Sequence, residues 1–111
     1  MSDNKYQNGK IYTIRNKNDE TLIYVGSTVQ PLFKRWHHHK KDSNNEKRRH
    51  YNMVLYQKIR ETNNINDWYI ELYENFTCDN KEQLNKREEE IIREIGTLNK
   101  NVGGRTRKEY Y

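Results

Sequence analysis

A chain of 111 residues, 33% charged and 32% hydrophobic with nine tyrosines, has room for one domain around a small core. Twenty-one Lys and Arg against 16 Asp and Glu leave a net charge of +5, and no stretch approaches the roughly 18 apolar residues that read as a membrane span. The lone Cys78 excludes an internal disulfide and the opening MSDNKYQNGK lacks the apolar core of a secretory signal, so the expected location is intracellular, cytoplasmic or nuclear, with no membrane partner.

Lys10–Arg15 (KIYTIR) and Thr21–Gly26 (TLIYVG) are β-branched and aromatic runs flanking the polar turn Asn16–Glu20, which predicts a β-hairpin. Alternation puts Tyr12 and Ile14 on one face of the first strand, and Leu22 and Tyr24 on one face of the second. Whether the two faces coincide depends on register, which these residues leave open. Pro31 suits the first turn of a helix whose apolar stripe is Leu32, Trp36 and position 39. A second helix is expected from Tyr51 to Arg60, with Leu55, Tyr56 and Ile59 inward. Asp67–Tyr73 (DWYIELY) alternates Trp68, Ile70 and Leu72 against Tyr69, Glu71 and Tyr73, as a third strand does. Asp79 and Glu82 form a capping-box pattern opening a helix that runs to Ile95, with Gly96 as its C-cap. The order β-β-α-α-β-α implies an α+β domain with a small three-stranded antiparallel or mixed sheet flanked by helices. Residues 1–8 read as an N-terminal extension, 9–105 as the domain and 106–111 as a basic tail.

Two positions break their local pattern. On the last helix the apolar stripe is Leu84, Ile91, Ile92 and Ile95, and Glu88 falls within it while Glu89 and Glu90 point away. A carboxylate aimed at a core needs a partner, either a salt bridge to an Arg or a metal ion. On the first helix His39 shares the Leu32/Trp36 face with Arg35 one turn before it, whereas His37 and His38 point elsewhere. Three consecutive histidines cannot converge on one ion, and neither CxxC nor HExxH is present, so a structural zinc site is not expected.

The positive charge is also local. Residues 1–50 hold eleven basic and five acidic residues, and Leu32–His50 alone holds seven Lys or Arg against two acids. Such a stripe fits either a polyanionic partner or a solvated helix face. Tyr12, Tyr24, Arg35, His39 and Glu88 together supply a carboxylate for a hard cation, a guanidinium for a phosphate, and phenol or imidazole groups for proton transfer. Those are the parts phosphodiester hydrolysis needs.

These residues resemble the GIY-YIG nuclease family. The half-motifs are Gly9-Lys10-Ile11-Tyr12 and Ile23-Tyr24-Val25-Gly26-Ser27, followed by Arg35, His39, the segment Lys86–Ile92 around Glu88, and the closing run Gly96–Val102. Lys10 interrupts the first triplet and Val25 replaces an Ile in the second, while both tyrosines keep their strand alternation. The resemblance covers residues 9 to 105 and implies a metal-dependent DNA endonuclease using one divalent ion, Mg²⁺ or another such as Mn²⁺. It implies that Glu88 holds the ion, that Tyr12 activates the water with help from Tyr24 and His39, and that Arg35 binds the scissile phosphate. The family's Asn maps to Asn99 or Asn101; Asn101 is preferred because an aliphatic residue follows it. Lys34, Lys40, Lys41, Arg48, Arg49 and Arg105 are the expected DNA contacts, and no protein partner is implied. The alternatives are a nucleic-acid-binding protein that keeps the fold without activity, and a helical interaction module.

Overall fold

The computed structural model describes residues 4–47 and 53–99. Three strands form one antiparallel sheet in the order β2-β1-β3, with β1 Lys10–Asn16, β2 Ile23–Thr28 and β3 Trp68–Asn75. The helices are α1 Leu32–Asn44, α2 Val54–Thr62 and α3 Lys81–Ile95. The element order and the antiparallel sheet agree with the expectation from sequence. None of the described helices is long and apolar enough to cross a membrane.

Both sheet faces are covered, which is why β1 reads as nearly continuous burial rather than alternation. On one face Tyr12, Ile14 and Tyr24 pack with Leu55, Tyr56 and Ile59 of α2 and with the Trp36 side of α1. On the other, Ile11 and Val25 pack with Leu84 and Ile91 of α3. The turn between β1 and β2 closes on its own side chains: Asn16 Oδ1 accepts the N–H groups of Asn18 and Asp19, and Asp19 Oδ1 accepts that of Thr21. The second strand therefore starts at Ile23, two residues after the expected point. α2 ends at Asn63, whose φ of 55° is the left-handed C-cap that asparagine tolerates.

Two local expectations are corrected. The N-cap of α3 is Asn80, not Asp79: the Asn80 side chain accepts from Gln83 N, and Gln83 Oε1 accepts from Asp79 N, a reciprocal pair one residue later than the Asp79/Glu82 pattern. Leu72 is exposed, because a register shift opposite the Ile11–Tyr12 step breaks the alternation of β3 there: Ile11 pairs with Glu74 but Tyr12 with Leu72. Residues 4–8, read as an extension, include a short 3-10 turn tied to the loop after β3. Asn4 Nδ2 donates to Asp79 O, Gln7 Nε2 to Cys78 O, and Cys78 N to Tyr6 O.

Candidate active site

The register decides whether the two tyrosines meet. Tyr12 pairs with Gly26 and Ile14 with Tyr24, so both tyrosines stand on the face covered by α1 and α2, their ring centroids 6.5 Å apart. Gly26 is required by that pairing. A Cβ at this position would lie 2.5 Å from the Tyr12 Oη and Cζ atoms, so only glycine lets the phenol lie across β2. The Tyr-x-Gly of the second half-motif is thus the seat of the tyrosine from the first.

α1 brings two groups onto this surface, one turn apart. His39 is fully buried with its Nε2 atom 2.7 Å from Tyr12 Oη, while His37 and His38 are exposed. Arg35 is half-buried and donates from Nε to Tyr12 Oη at 3.2 Å. Among the described residues its guanidinium meets no carboxylate within salt-bridge distance. The imidazole packs edge-on against Tyr12, Tyr24 and Tyr56, centroids 5.7 to 5.8 Å away.

Glu88 arrives from α3, on the opposite face. It is half-buried, as its place on the apolar stripe implies, and among the described residues its partner is the hydroxyl of Ser27 rather than an Arg. Ser27 lies next to Gly26 in β2 and so points to the α3 side. Glu88 is nonetheless close enough to the tyrosines to raise both electrostatically.

Burial sets the ionisation of this cluster. It pushes the Tyr12 phenol up, against a lowering pull from Arg35, and pushes Tyr24 up as well. It drives His39 down to about 3, with the Arg35 charge adding to the effect, so the imidazole is neutral. Glu88 is raised by burial first, with the Ser27 hydrogen bond opposing. At rest the site holds a neutral phenol, a neutral imidazole and one permanent cation.

Of the site residues expected from sequence, the structure brings together Tyr12, Tyr24, Arg35, His39 and Glu88. Lys34 and Lys41 are exposed on α1, and Lys40 is half-buried with its Nζ 5.7 Å from the Trp36 ring. Asn101, Arg48, Arg49 and Arg105 lie outside the described residues. Asn99 is buried and clasps β2: its Oδ1 accepts from Val25 N at 2.9 Å and its Nδ2 donates to Val25 O at 2.8 Å. Two further residues were not singled out as functional from sequence. Ser27 was quoted inside a motif, but its contact needs the β2–α3 packing. Tyr56 was identified only as inward-facing, and nothing local to α2 signals that its hydroxyl meets His39.

Comparison with known proteins adds three findings. A family model described as the GIY-YIG catalytic domain matches residues 8–101. The solved catalytic domain of the homing endonuclease I-TevI is similar at 26% identity and a TM-score of 0.66, over 85% of this chain and 99% of that one. Among curated proteins nothing matches.

Proposed function

The chain belongs to the GIY-YIG family of nuclease catalytic domains, and on that premise and the site geometry we propose that it cuts DNA by phosphodiester hydrolysis. The observation that carries this reading is the line Arg35 Nε–Tyr12 Oη–His39 Nε2, built around a guanidinium with no carboxylate partner among the described residues. Arg35 is the phosphate clamp. Its planar fork suits two phosphate oxygens, and its charge opposes the charge that grows on the pentacoordinate phosphorus.

Tyr12 handles the proton of the attacking water. A raised phenol beside a neutral imidazole does not store a phenolate, so the transfer is coupled. Tyr12 Oη takes the water proton as its own proton passes to His39 Nε2, and no free phenolate accumulates. Tyr24 closes the wall beside this pair. Its hydroxyl makes no hydrogen bond among the described residues and is available to water or a phosphate oxygen.

Glu88 fits a divalent cation. It is a half-buried carboxylate held by a neutral hydroxyl instead of a counter-charge, and the two side chains offer the hard oxygen donors that Mg²⁺ or Mn²⁺ takes. Among the described residues no group of three or more His, Cys, Asp or Glu could hold an ion, so water and phosphate would complete the coordination. Bound there, the ion supplies Lewis-acid stabilisation of phosphate charge. Lys34, Lys40 and Lys41, with Arg48, Arg49 and Arg105, are assigned to the DNA backbone. Asn99 braces the Tyr24–Gly26 segment through the backbone of Val25.

Plasmid incubation with Mg²⁺ tests the reading. Wild type is expected to cleave, and Glu88→Ala and Tyr12→Phe each to lose about a hundredfold or more in rate. Wild-type protein that binds the plasmid and leaves it intact would make this a nucleic-acid-binding member of the family without activity.

A further inference from the structure

The far side of the His39 ring has a partner of its own. His39 Nδ1 lies 2.8 Å from the hydroxyl of Tyr56, which α2 carries into the same core at 2% exposure. Three side chains from β1, α1 and α2 thus form one buried hydrogen-bonded line, Tyr12–His39–Tyr56.

The protons along this line can be counted. Arg35 has only protons to give, so Tyr12 Oη accepts from its Nε. The proton of Tyr12 itself needs an acceptor in a fully buried setting, and among the described residues His39 Nε2 is the one within reach. Nε2 is therefore bare, and the neutral ring carries its proton on Nδ1, where Tyr56 Oη accepts it. The other tautomer would aim two donors at Tyr12 Oη and leave the Tyr12 proton buried with nothing to receive it, a costly arrangement.

We propose that Tyr56 is a positioning residue: it holds His39 in the Nδ1–H tautomer and so keeps Nε2 open to the proton of Tyr12. Its consequence for catalysis rests on the nuclease reading. When Tyr12 passes its proton to Nε2 and gains one from water, His39 becomes an imidazolium with one N–H on Tyr12 and the other on Tyr56. No proton leaves the line. Tyr56 stays neutral throughout, since burial, and then the charge of Asp42, push it up to about 12. Among the described residues the titratable and charged groups that face the trio are Tyr24 from β2, Arg35, His38 and Asp42 from α1, and Glu88 from α3. A neutral acceptor at Nδ1 orients the ring without drawing its proton away, which a carboxylate would do more strongly.

The nitrogen-15 shifts of His39 in histidine-labelled full chain at neutral pH test this, assigned by their loss in His39→Gln. A protonated Nδ1 with a bare Nε2 is expected; a protonated Nε2 overturns the proposal without any substitution at Tyr56. In Tyr56→Phe, checked for fold by circular dichroism, the tautomer is expected to move toward Nε2–H. Its kcat should fall about 10- to 100-fold with KM for DNA unchanged, because a buried hydroxyl touches no substrate. A folded Tyr56→Phe with wild-type tautomer and kcat also overturns it. Wild type that leaves Mg²⁺-treated DNA uncut refutes the nuclease reading instead, and the nitrogen shifts still decide the tautomer.

Discussion

At the scale of single residues, burial is the main chemical agent in this site. His39 has an ordinary value of 6.5 and is lowered to about 3, first by burial and then by Arg35. Between those values the unfolded chain binds a proton that the folded chain refuses, so stability falls as pH drops through this window. The slope is about 1.4 kcal/mol for each pH unit, or roughly 2 kcal/mol between pH 6.5 and 5. Glu88, raised by burial, works in the opposite sense, since acidification relieves its desolvation. The comparison is therefore between thermal midpoints of wild type and His39→Gln over that range; the wild-type midpoint should drop by several degrees more. The candidacy of His39 and Glu88 was legible in the sequence because each lies on the apolar stripe of its own helix. Their partners were not legible, since a periodicity says which way a side chain points and nothing about what meets it.

At the scale of elements, β2 is one edge of the sheet, and the segment after α3 seals it. Thr97 Oγ1 accepts from Ile23 N, the N–H groups of Thr97 and Leu98 donate to Ile23 O, and Asn99 takes both backbone groups of Val25. This covers an open strand edge with hydrogen bonds instead of leaving it to a stray chain. Asn99→Ala leaves a buried N–H and C=O unpaired and is expected to cost about 2 to 3 kcal/mol in urea unfolding. Asn80→Ala, which removes only the cap of α3, should cost about 1 kcal/mol. The helices were readable to within a few residues because their stripes repeat every 3.6 positions over 9 to 15 residues. The N-cap of α3 was displaced because Asp79 and Asn80 are both good caps with an acid or amide three residues on, and only the backbone selects between them. The register of β2 on β1 was unreadable, since alternation is satisfied equally by every shift of two residues.

At the scale of the whole molecule, charge is divided between the faces of the fold. Lys34, Lys40 and Lys41 lie on α1, the helix that also carries Arg35 and His39, whereas Lys81 and Lys86 on α3 alternate with Glu82 and Glu89. DNA affinity should then depend steeply on salt, with a log–log slope of about −3 to −5 if most of the assigned cations meet phosphates. Replacing Lys34 and Lys41 by Gln should reduce that slope by about 1 each, and Lys86→Gln should leave it unchanged. A filter-binding titration across salt concentrations checks all three.

Composition, spacing and periodicity by themselves determined which side chains break their local pattern and are candidates for chemistry, which face of its own helix or strand each occupies, and the order of the elements, because these are local properties of the chain. Tertiary structure alone decided that Tyr12 lies over Gly26, that Ser27 holds Glu88, that Tyr56 meets His39 and that Asn99 grips Val25. Those contacts join residues between 14 and 74 positions apart, and they exist only once sheet register and helix docking have brought distant segments to hydrogen-bond distance.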